Sequence, residues 1–354
     1  MIKPIETLIL VSIPRVSCFF VKPLTCVIVG SGSIARRHIS NLLTLSPKCR
    51  IILVQRKKSP SGSIDGVDSV VHTVHDSLAF SPDFAVIANP APFHIQSALV
   101  FAEYGCHLFI EKPLSDSTQL LASLNQVCSL KSLVLFVGYN LRFDPSLIAL
   151  HNELLNGLIG RPIHFSFQVG QYLPHWRPHL DYRESVSAQQ FLGGGPLLEL
   201  SHEIDLALWL GGPIKSISAN IASVSDLDID TEDSVDLMFT YSSGAMGTIH
   251  LDFLRQSSSR SCCIIGTNGC FEWNFYDSSL VFTSNSQVQN YICSSCLVDR
   301  NHMYLQEMRH FLSCIDGIET PRVTFQDGVH VLSAIMAARQ SAVYKRFVNI
   351  PTYD

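Results

Sequence analysis

Between Leu24 and Asn140 five short runs, LTCVIVG, RIILVQ, DFAVIANP, CHLFIEKP and LVLFVGYN, are almost continuously apolar, with stretches of helical pattern between them. A strand with one face in water alternates apolar and polar residues, whereas a strand apolar throughout is covered on both faces. The runs therefore predict a parallel sheet covered by helices.

After Pro145 the texture changes. One helix and a long irregular loop lead into runs of mostly period-two pattern: IHFSFQVGQYL, IKSISANIASVS, SVDLMFTY, AMGTIHLDFL, SCCIIG and GCFEWNF. These predict a largely antiparallel sheet, followed by helical stretches from Met303 to Cys314 and from Gly328 to Val343. With 354 residues and 47% hydrophobic content, two cores are expected. The expected division is 24–144 for the parallel half and 145–354 for an α/β half that binds substrate. Residues 1–23 read as an unstructured leader, because the apolar run from Leu8 to Val21 is broken by Pro14 and Arg15 and is too short to span a bilayer.

The formal charge of -5 and the absence of any long Lys/Arg run argue against nucleic acid or an anionic membrane as partner, which leaves a small molecule. Eleven cysteines, scattered through apolar segments, read as reduced thiols of a cytoplasmic protein. Cys293 and Cys296 have metal-like spacing, but no second pair stands at zinc-finger distance, so no metal is assigned.

The turn after the first run narrows the ligand. In VIVGSGSIARRH, Gly30 allows a tight turn and Gly32 lets a pyrophosphate approach the backbone. Ser33 and Ile34 open a helix whose N-terminus favours the anion, and Ala35 stands where a third glycine often sits. A nicotinamide dinucleotide is the expected cofactor. The second strand ends in Gln55-Arg56-Lys57-Lys58 instead of the acid that holds the ribose of NAD, and Arg56 suits a 2′-phosphate, so NADP is expected over NAD. A solvated basic loop is the alternative for that segment.

Ligands of open parallel sheets lie beyond the carboxyl ends of the strands. Asn89, Pro90, Glu111 and Lys112 stand at such ends, with His94 just beyond, and are expected to face the cofactor. Tyr139 and Arg142, past the last run, are expected to face the substrate. An ammonium at Lys112 can stabilise a developing alkoxide or exchange its proton, and a cis Lys112–Pro113 bond would fix its direction. Farther along, a helix is predicted from Pro196, on which Glu199, His202 and Asp205 recur every three residues and share a polar stripe. Imidazole is the natural proton shuttle near neutral pH, and a flanking carboxylate can orient it, although a lone helical histidine also has structural uses.

Taken together, VIVGSGSIARRH, ANPAPFH, IEKP, GYNLRFDP and GGGPLLELSHEIDLALWLGG resemble the Gfo/Idh/MocA family of NAD(P)-dependent oxidoreductases, from about Leu24 to the C-terminus. The resemblance implies a Rossmann domain followed by an open α/β domain whose sheet often mediates oligomerisation, so a homo-oligomer is expected. It also implies that Lys112 lies near nicotinamide and substrate, and that His202 acts on the substrate. Family members commonly carry Asp-x-x-x-His-x-x-Asp. Here the acid is Glu199 and the spacing to His202 is one residue shorter, while His202-x-x-Asp205 is intact.

The segment QYLPHWRPHLDYRES carries Trp176, Arg177 and Tyr182. Aromatic faces suit sugar rings and arginine suits a carboxylate or phosphate, so the loop is a candidate substrate contact, with a lid or an oligomer contact as the other reading. Together with ELSHEID, it is similar to family members of surface-polysaccharide and sialic-acid-like sugar pathways. The expected function is hydride transfer between a nicotinamide and a carbinol carbon of a sugar, sugar acid or nucleotide-sugar. Reduction of a sugar-derived imine or aldehyde, and a non-catalytic cofactor- or sugar-binding regulator of the same fold, are the alternatives.

Overall fold

The computed structural model describes residues 23–55, 64–285, 287–291 and 300–350, and these residues build two sheets. The expected leader up to residue 22, together with Arg56, Lys57, Lys58, Cys293 and Cys296, lies outside the described residues.

The first sheet has six strands: β1 (Thr25–Val29), β2 (Arg50–Val54), β3 (Ser69–Val71), β4 (Phe84–Ile87), β5 (His107–Glu111) and β6 (Leu135–Gly138). They lie in the order β3-β2-β1-β4-β5-β6 and every pairing is parallel. The chain reverses its direction of winding at β1, and a crevice for a ligand opens at such a switch point. The helices α1 (Ser33–Leu45), α2 (Val74–Ser77), α3 (His94–Tyr104) and α4 (Leu121–Leu130) connect the strands. Helix α1 buries Ala35, His38, Ile39 and Leu42, a helical stripe turned to the sheet. Five of the six strands were legible as apolar runs, and the short edge strand β3 was not.

Helix α5 (Pro145–Leu155) leads away from this sheet, with proline in its first turn and the Asp144 carboxylate accepting from the backbone N–H groups of Ser146 and Leu147. The second sheet follows, from β7 (Pro162–Gly170), β8 (Ile214–Ala222), β9 (Ser234–Tyr241), β10 (Met246–Asp252), β11 (Ser259–Gly266), β12 (Cys270–Asn274), β13 (Ser279–Ser284), β14 (Gln287–Tyr291) and β15 (Val348–Asn349). Its order is β14-β13-β12-β11-β7-β10-β9-β8-β15, and β7 with β10 is its one parallel pairing among the described residues. The chain is thus α/β, a parallel Rossmann sheet followed by a largely antiparallel one. Phe165, Phe167, Leu237 and Phe239 face the core of the second sheet, while Ser166, Gln168, Asp236 and Met238 alternate onto its other face.

Four further helices complete the fold: α6 (Pro196–Glu199), α7 (His202–Gly211), α8 (Asn301–Ile315) and α9 (Phe325–Tyr344). Helices α7 and α9 lie against the second sheet. Helix α8 does not stay with the half in which the sequence division placed it. It returns to α1, and Phe311 enters the aromatic cluster of the first sheet, with ring centroids 5.6 Å from Phe84, 5.4 Å from Phe109 and 5.9 Å from Phe136. Its apolar stripe was readable; which sheet that stripe would cover was not.

Candidate active site

The glycine turn sits at the carboxyl end of β1. Gly30 has φ +111, and a Cβ there would stand 2.5 Å from the Ala88 carbonyl oxygen, so only glycine lets the chain turn this closely. Gly32 is the N-cap of α1, with no side chain capping the helix, no acid in its first turn and open space within 4 Å of where a Cβ would be. Ser33 is exposed and Ile34 partly exposed at the same place.

Several strand-end residues are turned inward. Asn89 donates from Nδ2 to Ser97 Oγ (3.0 Å), and Pro90 is partly exposed beside it. His94, expected against the cofactor, is only 2% exposed and lies between the carbonyl oxygens of Asn89 (2.7 Å) and Pro113 (2.9 Å). Burial lowers its pKa. It therefore ties the end of β4 to the cis Lys112–Pro113 segment after β5. Glu111 is likewise buried: its Oε1 accepts from His38 Nε2 (2.6 Å) and its Oε2 from the Lys112 backbone N–H (3.2 Å). Behind it stands Glu307 of α8, fully buried, with neither carboxyl oxygen hydrogen-bonded. Burial first, then the Glu111 carboxylate, holds the Glu307 pKa well above the usual range.

The helix predicted from Pro196 is broken in two. Helix α6 ends at Glu199, and α7 begins at His202, so Glu199, His202 and Asp205 do not share one stripe. A helix end leaves backbone carbonyls without an intrahelical donor, and Lys112 Nζ donates to the carbonyl oxygen of Glu199 (2.7 Å). The Glu199 carboxylate turns to Ser187 Oγ, from which it accepts at 2.8 Å. His202 is 7% exposed, its Nδ1 is buried without a partner, and its ring meets the edge of Tyr139 at 5.5 Å. Burial, then Arg260 and Lys112, push the His202 pKa well below the usual value, so the ring is neutral at physiological pH. Lys112 thus reaches, from the other half of the chain, the break between α6 and α7 that precedes His202.

Other expected contacts have different partners. Asp205 was expected to flank His202, but it is fully buried and both its oxygens accept from Arg142, at 2.6 to 3.1 Å. Arg142, expected at the substrate, is 4% exposed and also donates to Asp327 (3.1 Å). A buried charge needs an opposite charge with hydrogen bonds, and this pair satisfies itself internally. Tyr139, also expected at the substrate, has no exposed surface; its hydroxyl is 3.5 Å from Ser201 Oγ, and it backs His202. In the long loop, the Trp176 indole N–H donates to the Gln171 carbonyl (3.1 Å) and its ring packs on Phe253. The Tyr182 hydroxyl accepts from the Asp228 N–H (3.2 Å), and Arg177 is partly exposed. Trp176 and Tyr182 therefore brace the loop.

The stripe reading missed Glu203 and Arg260. Glu203 is 1% exposed, and its Oε1 stands 2.8 Å from Arg260 Nε of β11. The signal was present in ELSHEID, where a second acid directly follows the histidine.

Two family descriptions match in succession: residues 24–139 match the oxidoreductase family with an NAD-binding Rossmann fold, and residues 148–272 the GFO/IDH/MocA C-terminal domain. The chain belongs to the Gfo/Idh/MocA oxidoreductase family. It is 23% identical over 337 residues to the myo-inositol 2-dehydrogenase of Thermotoga maritima, covering 91% of this chain and 97% of that one. It is 24% identical over 330 residues to the scyllo-inositol 2-dehydrogenase (NAD(+)) of Bacillus subtilis, covering 89% and 93%. The solved structure of levoglucosan dehydrogenase with NADH and levoglucosan has a TM-score of 0.83 at 19% identity, covering 94% of this chain and 100% of that one, a likeness of fold. The residues present fit a dinucleotide: the open space at Gly32 and the uncapped, acid-free start of α1 suit a pyrophosphate. Among the described residues no group of three His, Cys, Asp or Glu could hold a metal, and no helix is long and apolar enough to cross a membrane.

Proposed function

We propose that the chain is a nicotinamide-dependent dehydrogenase acting on a CH–OH carbon of a sugar, sugar acid, cyclitol or nucleotide-sugar, with NADP preferred over NAD. One observation supports the reading: Lys112, at the end of β5, donates from Nζ to the Glu199 carbonyl at the break just before His202, and β5 runs parallel to β1, whose same end bears the glycine turn. Bound NAD(P) supplies the hydride acceptor. Neutral His202 accepts the carbinol proton through a ring nitrogen. The Lys112 ammonium stabilises the developing alkoxide, since its contact with Glu199 takes one of the three N–H donors of a lysine. Gly30, Gly32, Ser33 and Ile34 hold the pyrophosphate. The buried residues His94, Glu111 and Tyr139 position Lys112 and His202, and the Arg142–Asp205 pair fixes the start of α7.

The inositol and levoglucosan dehydrogenases among its relatives support a polyhydroxylated ring as substrate. For the cofactor, Gln55 in place of the ribose-binding acid and the following Arg56 support NADP. The outer face of the second sheet, where Met238 and Met246 are 55% and 56% exposed, supports a homo-oligomer through that face. The unpaired thiols of the described cysteines support a reducing, cytoplasmic setting. The test is turnover of a panel of polyols, aldonic acids and nucleotide-sugars with NADP and NAD, read as reduced nicotinamide. Tight cofactor binding with no turnover in either direction across the panel would overturn the reading in favour of a regulator.

A further inference from the structure

Helix α6 is a single turn, too short to persist by its own hydrogen bonds, yet it is held at both ends. At its start the Leu197 backbone N–H donates to Glu232 Oε1 (3.2 Å). Gly195 just before it has φ +92, and a Cβ there would stand 2.4 Å from that same oxygen, so glycine is what lets the carboxylate come so near. At its end the Glu199 carboxylate accepts from Ser187 Oγ (2.8 Å), and Ser187 is fully buried. The Ser187 carbonyl in turn accepts from the Gly195 N–H (3.0 Å), which closes the loop onto the turn. The segment around Ser187 is itself pinned: the Asp230 carboxylate accepts from the Gln190 N–H, and the Asp230 N–H donates to the Ala188 carbonyl (3.2 Å). The main-chain carbonyl of Glu199, at the end of this braced turn, is the one that Lys112 Nζ reaches at 2.7 Å.

We propose that α6 is a positioning turn for Lys112: Ser187 and Glu232 fix it, and its Glu199 carbonyl aims the ammonium at the substrate oxygen. The inference rests on the dehydrogenase reading above. A lysine carries three donors on a flexible four-carbon stem, so anchoring one N–H on a fixed carbonyl gives direction to the other two. In this arrangement the Glu199 side chain moves no proton, and what counts is its capacity to accept from Ser187. The acid whose spacing to His202 departs from the family pattern thereby serves the lysine and not the histidine. Glutamine offers an oxygen acceptor in the same place with no proton to exchange, whereas leucine offers neither.

The experiment compares the parent with Ser187→Ala, Glu199→Leu and Glu199→Gln. Turnover is read as reduced nicotinamide and NADP affinity by fluorescence titration. The reactivity of Lys112 is read by its rate of acetylation with acetic anhydride in NADP-saturated protein, followed by peptide mass spectrometry. Ser187→Ala and Glu199→Leu are expected to lower kcat by about 10- to 100-fold while NADP binds within a few-fold of the parent and Lys112 is acetylated several-fold faster. Glu199→Gln is expected to stand far closer to the parent than Glu199→Leu in both kcat and acetylation rate. A loss in Glu199→Gln as deep as in Glu199→Leu would overturn the inference and return the carboxyl to proton transfer. An unchanged acetylation rate in Ser187→Ala and Glu199→Leu would overturn it as well. NADP affinity reports the fold of each variant, and Ser187→Ala, which removes a single oxygen, decides the question where Glu199→Leu does not fold. Acetylation needs no substrate, so an absence of turnover overturns the dehydrogenase reading while the acetylation rate still decides the role of the turn.

Discussion

Glu307 offers a test that needs no substrate. Its carboxyl is fully buried on α8, lacks a hydrogen-bond partner, and faces the charge of Glu111. In the unfolded chain a glutamate loses its proton near pH about 4.3, whereas burial keeps the proton on Glu307 well beyond that point. Below the unfolded value both states carry the proton and stability is independent of this group. Above it the folded state binds one proton more than the unfolded state, so stability falls as pH rises until the folded pKa is reached. One proton corresponds to about 1.4 kcal/mol per pH unit. Glu307→Gln keeps the size and the uncharged polarity of the protonated acid and removes the titration. From about pH 5 upward the parent should therefore lose stability relative to the variant as pH rises, with a slope of at most about 1.4 kcal/mol per pH unit. Urea unfolding followed by tryptophan fluorescence across that range measures the difference. Parallel curves for the two proteins would refute the reasoning, because they would mean that the carboxylate is ionised in the fold and has a partner.

Lys112→Met and His202→Ala should each lower turnover by about 10²–10⁴ while NADP binds within a few-fold of the parent, and the double variant should lose far less than the product; near-parental turnover of Lys112→Met on the true substrate would refute the mechanism. Arg56→Ala should weaken NADP binding by about 1.5–3 kcal/mol and leave NAD nearly untouched, as read by cofactor fluorescence titration, and an equal loss for both would remove the case for NADP. Arg142→Met should cost about 3–5 kcal/mol of stability by leaving Asp205 charged and unpaired, and the variant Arg142→Met/Asp205→Leu should recover much of it. A rise in KM without any loss of stability in Arg142→Met would return the arginine to the substrate.

The parallel half was legible because strands covered on both faces leave an unmistakable run of apolar residues, and because the Gly30 turn can be made by little else. The strands β13 and β14 carry polar residues such as Ser279, Thr283, Gln287 and Asn290, and their pairing depends on neighbours that a local pattern does not name. The site was half legible. The structure places Lys112 just after β5 and His202 at the first position of α7. Glu203 did not emerge, because the stripe argument assumed one unbroken helix and its partner Arg260 lies 57 residues away. The pairing of Arg142 with Asp205 was not legible for a related reason: a charged residue in a motif signals that charge is needed, and only the fold shows which side chain stands against it.

The return of α8 to the first sheet bears on how such a chain can be made and rearranged. Phe84, Phe109 and Phe136 are in place once the sixth strand has been synthesised, yet Phe311, which completes their cluster, comes from far later in the chain. A ribosome-bound chain therefore carries an aromatic surface uncovered until Phe311 has emerged, a condition in which early hydrophobic exposure invites aggregation. The nucleotide-binding half is consequently no free-standing cassette. A fragment ending near residue 144 should be poorly soluble, and a chimera that exchanges substrate halves between relatives should carry α8 with the first sheet it covers.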